Sequence, residues 1–305
     1  MKQRLLLTGA TGFIGKELYQ RLGKYDVYTL ERYVTGRYNH YDSNNKIFLD
    51  LRNYEDIEST IREINPAYVI HLAAISPVAF SYEHYYEVSE VNYQASVNLI
   101  EACHEYADNL KQFIFAGTSE EYGQALKDRN HKLSEDSELI PNSPYAVSKV
   151  AVDKYLQYMG MAFDFPFTIL RPFNTYGRTD NNHFFMERTI KAMQSNEPLK
   201  LGIPDSVRDW MFVEDHIYGY LQALGNRKAI KQIINLCTGK GYSTKETAKI
   251  IAEMTNYKLP IKWNAIKPRP SDAKILIGDN SKAQKLLNWK PKYSLEEGLN
   301  KMIYG

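Results

Sequence analysis

Hydrophobic positions along the chain follow two alternating periods. Leu5, Leu6 and Leu7 form a short apolar run that stops at Gly9. Phe13, Ile14, Leu18, Tyr19 and Leu22 then recur at helical spacing. This predicts a buried strand, a tight turn and an amphipathic helix. The alternation continues: residues 26–30, 47–49, 68–72, 113–116 and 167–170 are predicted strands, and 54–64, 85–106 and 144–159 are predicted helices. Repeated strand–helix units imply a parallel sheet with right-handed crossovers and helices on both faces. The predicted fold class is therefore α/β, a Rossmann-type doubly wound parallel sheet, with ligands collecting beyond the carboxyl ends of its strands.

After Arg171 the pattern loosens. Residues 174–182 are polar and loop-like, 184–193, 213–224, 243–255 and 281–287 read as helices, and 233–236 reads as one more strand. Ser243 and Glu246 form a capping pattern. The expected division is a dinucleotide-binding domain from residues 1–173 and about 211–239. A smaller α/β substrate-binding lobe takes 174–210 and 240–305.

The first turn carries three glycines, Gly9, Gly12 and Gly15. One permits the turn, one lets the backbone approach a pyrophosphate, and one lets the helix lie close to the sheet. The helix N-terminus then offers free N–H groups to phosphate. A purely structural turn would use the same residues, but the position between first strand and first helix favours a dinucleotide. Gly9, Thr11, Gly12, Phe13, Ile14 and Gly15 are the cofactor-binding candidates here. Glu31, after the second strand, suits the adenosine ribose hydroxyls and repels a 2′-phosphate, which favours NAD. Arg32 and Arg37 beside it leave NADP possible. Asp50, followed by Leu51, suits the adenine amino group or a helix cap equally.

Composition narrows the field. The 305 residues are 44% hydrophobic and 24% charged, with a formal net charge of +2, an ordinary globular balance with no footprint for nucleic acid or an anionic membrane. The two cysteines, Cys103 and Cys237, have no metal-ligand spacing and suggest reduced thiols in a cytoplasmic protein. No metal site is expected. The N-terminal apolar run is too short for a signal peptide, and no run approaches membrane-spanning length.

Tyr145 and Lys149 are four apart on a predicted helix and share a face. A lysine ammonium beside a phenol stabilises the phenolate, so the tyrosine becomes usable as a base. A chance pair is the alternative in a chain with 24 tyrosines. The context favours chemistry, since Thr118 places a hydroxyl just past the strand at 113–116.

The chain resembles the extended short-chain dehydrogenase/reductase superfamily, the nucleotide-sugar epimerases and dehydratases. The likeness covers almost the whole sequence. It rests on Thr8-Gly9-Ala10-Thr11-Gly12-Phe13-Ile14-Gly15, His71-Leu72-Ala73-Ala74, Thr118 with Tyr122-Gly123, and Tyr145 with Lys149. It continues through Arg171-Pro172-Phe173-Asn174-Thr175-Tyr176-Gly177, Val207-Arg208-Asp209-Trp210 and Asn288-Trp289-Lys290-Pro291. The resemblance implies that Tyr145 takes a proton from the sugar 4-hydroxyl while C4 gives hydride to NAD. Lys149 would also bond the nicotinamide ribose. It adds Leu51, Leu72, Ala73, Ala74 and Pro172 to the cofactor site. Asn92 is either a cofactor-side or a structural asparagine. Ser76, Thr118, Ser119, Asn174, Arg208 and Arg269 are the substrate candidates, the two arginines clamping a diphosphate.

Glu120 sharpens the expectation. It stands where 4,6-dehydratases carry a glutamate to remove the C5 proton, and Thr118-Ser119-Glu120 is similar to GDP-mannose 4,6-dehydratase. Arg269-Pro270-Ser271-Asp272 and the stretch from Gly278 to Ala283 favour the same enzyme. Glu121, by contrast, replaces a usually apolar residue, and the stretch from Thr179 to Phe185 departs from that enzyme's longer loop. The expected function is 4,6-dehydration of a nucleotide-diphosphate sugar. A nucleotide-sugar 4-epimerase is the alternative, then a UDP-glucuronate decarboxylase. Family likeness suggests a homodimer through the helices near 85–106 and 144–159.

Overall fold

The structure is a computed structural model and describes residues 1–32, 45–123, 126, 128–178 and 184–305. Arg37 lies outside the described residues, as do 179–183 of the variable loop. The first half runs β1 (Arg4–Thr8), α1 (Phe13–Tyr19), β2 (Asp26–Glu31), β3 (Lys46–Phe48), α2 (Tyr54–Ile64) and β4 (Tyr68–His71). It continues with α3 (Val78–Glu83), α4 (Tyr85–Ser89), a π-helical turn (Glu90–Gln94), α5 (Ala95–Tyr106), β5 (Gln112–Ala116), α6 (Pro144–Ala162) and β6 (Phe167–Pro172). The second half holds β7 (Asn174–Tyr176), α7 (Phe185–Gln194), β8 (Leu199–Lys200), β9 (Val207–Phe212), α8 (Val213–Ala223) and β10 (Gln232–Leu236). It closes with β11 (Gly241–Ser243), α9 (Thr244–Thr255), β12 (Ile261–Lys262), β13 (Ile275–Leu276), α10 (Ser281–Leu287) and α11 (Leu295–Tyr304).

Seven strands form one parallel sheet in the order β10-β6-β5-β4-β1-β2-β3. This is the doubly wound Rossmann arrangement with one added edge strand. Both faces are covered, so central strands are continuously apolar. Leu5 and Leu7 join one buried cluster with Leu18, Ile70 and Ile217. Leu6 points the other way, into a second cluster with Ile61, Val69, Leu99 and Val152. The predicted strands all appear in this sheet. The predicted long helix at 85–106 is present but interrupted by the π-helical turn, and α3 precedes it.

The looser second half hides short strands. β9 is buried along its whole length and is the centre of a four-stranded sheet, pairing with β7, β11 and β13. Its apolar pattern is broken by Arg208 and Asp209, which is why it does not read as a strand. The second small sheet joins β8 and β12. The tail also reaches the large sheet's helices: the fully buried Trp289 donates its indole N–H to the Asp215 carbonyl (3.0 Å) on α8. Asn280 likewise donates to the Cys237 carbonyl just after β10 (2.8 Å). This stretch buries its apolar side chains against the large sheet's flank. Cys103 and Cys237 are buried free thiols. Among the described residues, no helix is long and apolar enough to cross a membrane.

Asp209 ties the small sheet to the large one. Fully buried on β9, it accepts backbone N–H bonds from Thr238 (2.9 Å), Gly239 (2.8 Å) and Gly278 (3.3 Å), and the Thr238 hydroxyl (2.5 Å). Asp209→Ala would leave these donors buried without an acceptor. The expected outcome is a loss of about 3 kcal/mol of stability, seen as a lower urea midpoint with an unchanged slope.

Candidate active site

The glycine turn and the exit of β4 are pressed together. Gly9 has φ +72°, and a Cβ there would lie 2.7 Å from the Ala73 nitrogen. A Cβ on Gly15 would lie 2.1 Å from the Gly9 carbonyl oxygen. Only glycine permits both approaches. Gly12 caps the N-terminus of α1 and is exposed there, between Thr11 and Phe13. Leu72, Ala73 and Ala74 are half-buried across the same edge, and Ile14 packs on the core beneath.

A buried chain of hydrogen bonds fixes this edge. Ala73 N–H donates to the Thr8 hydroxyl (3.1 Å), which donates to His71 Nδ1 (2.6 Å). His71 Nε2 meets Ser96 Oγ at 2.8 Å, and Ser96 donates to the Asn92 carbonyl at 2.6 Å. Ser96 has one proton and gives it to that carbonyl, so His71 is neutral with its proton on Nε2. Burial, with the Lys149 charge second, pushes the imidazole down to about 3. The Asn92 side chain clasps the following loop: it accepts from Ile75 N–H (2.8 Å) and donates to the Ile75 carbonyl (3.1 Å) and Ser148 Oγ (3.2 Å). Both amide protons are therefore committed to protein. Asn92 thereby shapes the loop, as its structural reading expects.

At the adenosine end, Glu31 is buried at the tip of β2 and accepts the Thr29 hydroxyl (3.1 Å), while Arg32 is exposed. Asp50 is paired within the protein. Arg52 grips both its oxygens, with Nη2 at 2.6 Å and the Arg52 N–H at 3.0 Å, and that pairing holds the carboxyl below the usual range. The adjoining Leu51 carbonyl accepts from Asn98 (3.2 Å).

The chemical centre lies where β5 ends. Thr118 caps a short 3-10 turn (Ser119–Glu121): its hydroxyl accepts the Glu120 N–H, and the Glu121 side chain accepts the Thr118 N–H at 2.9 Å. The Thr118 hydroxyl lies close enough to the Tyr145 phenol to favour its ionised form. Ser143 caps α6 and Pro144 opens it, so Tyr145 and Lys149 emerge one turn apart on the same buried face. Lys149 Nζ donates to the Ala116 carbonyl (2.9 Å) and lies over the Phe115 ring. Burial pulls the ammonium down to about 8, and Glu121 opposes that shift. Burial raises the Tyr145 pKa, Glu120 and Glu121 add to the rise, and the Thr118 hydroxyl alone opposes it.

Glu120 is buried, not a solvated loop carboxylate, and its charge reaches Arg208 and Arg269 as well as Tyr145. Arg208 is buried on β9, and Arg269 is paired with Asp272. The 269–272 loop is pinned over the cleft by Asn142, which donates to the Ser271 carbonyl (2.6 Å). Ser119 is buried beside Thr118, Ser76 is exposed at the β4 exit, and Pro172 is half-buried at the end of β6. Asn174 Oδ1 is buried without a hydrogen-bond partner, as are His216 Nε2 and Tyr220 Oη on α8. Tyr220 lies close enough to Tyr145 for their charges to interact.

Two features had not been read from the sequence. Arg178 stacks between the Phe13 and Phe184 rings, 4.3 and 3.9 Å from their centroids, and pairs with Glu187. Arg171, expected only as part of a motif, is fully buried between two carboxylates, Asp153 and Glu121. The signal for the second was the misplaced charge of Glu121 itself.

Residues 6–302 match the family model described as GDP-mannose 4,6 dehydratase. The chain belongs to this family. A Bacillus subtilis (strain 168) relative described as an uncharacterized UDP-glucose epimerase is 29% identical, over 98% of this chain and 96% of the relative. The solved Thermotoga maritima UDP-glucose 4-epimerase with UDP-glucose gives a TM-score of 0.89 at 28% identity, covering 98% of this chain and 97% of that one. The Bacillus cereus UDP-glucuronic acid 4-epimerase, solved with UDP-glucuronic acid and NAD, gives 0.87 at 28% identity, covering 98% of both chains. This family member is thus an enzyme of the nucleotide-sugar epimerase and dehydratase type, with the expected Rossmann fold.

The buried histidines make a stability prediction for this family member. Burial, with Arg178 second, pushes His216 down to about 3, whereas an unfolded histidine titrates near ~6.5. Between those values the unfolded chain binds the extra proton, so stability falls as pH drops through the window. His216→Asn should remove up to about 1.4 kcal/mol per pH unit from the slope of stability against pH. Urea midpoints measured between about pH 6 and 4 check it.

Proposed function

We propose that the protein is an NAD-dependent nucleotide-diphosphate-sugar 4-epimerase, working through a transient 4-keto sugar. The observation that carries this reading is the gathering of three buried groups: Thr118 at the end of β5, Tyr145 beside it, and Lys149 one helical turn on. That set suffices to move the proton of the 4-hydroxyl, while the hydride at C4 would go to bound NAD and return from it. Full-length likeness to UDP-glucose and UDP-glucuronate 4-epimerases supports epimerisation over the 4,6-dehydration expected from Glu120.

NAD fits the residues present: the glycine turn is a cradle that a Cβ would fill, and buried Glu31 meets the ribose end. NAD supplies the hydride acceptor. Gly9, Gly12 and Gly15 would hold its pyrophosphate, Glu31 its adenosine ribose, and Lys149 its nicotinamide ribose. Tyr145 takes the proton of the sugar 4-hydroxyl, Thr118 orients that hydroxyl, and Arg208 with Arg269 holds the diphosphate. Glu120 offsets the two guanidiniums. The protein is read as a homodimer, supported by exposed Tyr85 and Tyr86 on α4 and Val147, Tyr158 and Met161 on α6.

A second reading, 4,6-dehydration, is favoured by the buried Glu120 carboxylate beside Tyr145. Product mass distinguishes the readings on a panel of nucleotide sugars. An isomer of unchanged mass is expected; loss of water would establish the dehydratase and loss of carbon dioxide the decarboxylase. Tyr145→Phe should lower turnover by about 10²–10⁴-fold. Glu120→Gln should lower it less than about tenfold, whereas a C5 base would cost about 10²–10⁴-fold.

A further inference from the structure

Glu121 stands directly behind the reacting turn. A Cβ on Gly117 would lie 2.7 Å from its Oε1, so the carboxyl is folded tightly under the Gly117–Thr118 backbone. Glu121, Asp153 and Arg171 are all fully buried. Arg171 donates to Asp153 through Nε (3.1 Å) and Nη2 (2.8 Å), and to the Tyr122 hydroxyl through Nη1 (2.9 Å). Its Nε lies 3.0 Å from Glu121 Oε2, an oxygen with no hydrogen bond of its own. One guanidinium therefore serves two carboxylates. A surplus negative charge in such a site is costly unless a second cation or a proton balances it.

Lys149 is the second cation. It lies one turn before Asp153 on α6, and Glu121 is the carboxylate whose field favours its ammonium. Arg171, Lys149, Glu121 and Asp153 then sum to zero charge. A second balanced state has Glu121 protonated, its Oε2–H donating to Asp153, and Lys149 neutral. Burial first, and the Asp153 charge second, raises Glu121 above the carboxylate range. Glu121 is faced by Asp153, Lys149 and Tyr145 from α6, Arg171 from β6, and Tyr122 from its own turn. Lys149 is faced by neutral His71 from β4 and by the Phe115 ring and Ala116 carbonyl from β5.

We propose that Glu121 is a positioning residue for the reaction: it fixes the Gly117–Thr118 backbone and supplies the counter-charge that keeps Lys149 an ammonium inside the protein. The inference rests on the reading of Tyr145 and Lys149 as the reacting pair. The test is the pH profile of kcat for Glu121→Gln against the wild type. A glutamine amide still offers the Thr118 N–H an acceptor but cannot carry charge. The alkaline limb should move down by about one pH unit, with the rate near about pH 6 reduced less than tenfold. A uniform loss at every pH with an unmoved limb overturns the proposal, and so does an unchanged profile. Tyr145→Phe lowers turnover by about 10²–10⁴-fold at every pH if the underlying reading holds, so the two failures are distinguishable. Should Glu121→Gln not fold, Asp153→Asn is the complementary variant. Without the neighbouring negative charge, Glu121 ionises more readily and the limb moves up; an unmoved or lowered limb overturns the proposal.

Discussion

The close approach of two backbone turns, at Gly9 and at Leu72–Ala73, governs the carboxyl edge of the sheet. No side chain fits between them, so Gly9 must be a glycine in the left-handed region. The buried relay from Ala73 through Thr8, His71 and Ser96 to Asn92 then holds strands β1 and β4 and the π-helical turn in one register. Asn92 passes that order to the Ile75 loop and to Ser148 on α6. The helix that carries Tyr145 and Lys149 is therefore oriented by the same network that shapes the dinucleotide turn. The glycine turn and the Tyr145–Lys149 helix are thus joined by one buried hydrogen-bond network.

Charge around this network is balanced locally. The cleft opposes Arg208 and Arg269 with Glu120 and Asp272. Behind the turn, Arg171 and Lys149 oppose Glu121 and Asp153. Thr118 joins the two sets, with its hydroxyl toward Tyr145 and its N–H toward Glu121. Such groups are buried at a cost, and they persist because each meets an opposite charge or a backbone partner.

The large sheet was legible in the sequence because fully buried parallel strands are uninterrupted apolar runs and their helices keep a clean period. The glycine turn and the shared buried face of Tyr145 and Lys149 were legible because spacing on a turn or helix sets which groups meet. β9 was not, since Arg208 and Asp209 interrupt it with side chains whose partners lie far away in sequence. The partners of Asp50 and Asn92 were not legible for the same reason: Arg52 and Ile75 meet groups that look available in one dimension. Glu121 was noticed only as a departure, because nothing in a linear chain shows that Arg171 and Asp153 converge on it.

The placement of Trp289 has a consequence for how this architecture can be cut and rebuilt. Its indole anchors the tail to α8, the helix that carries His216 and Tyr220 next to the phenol. A graft exchanging the sugar-side lobe at residue 240 would carry away the peg that seats α8. The tail serves both sides, because α11, beyond the indole, packs on α9 and β9.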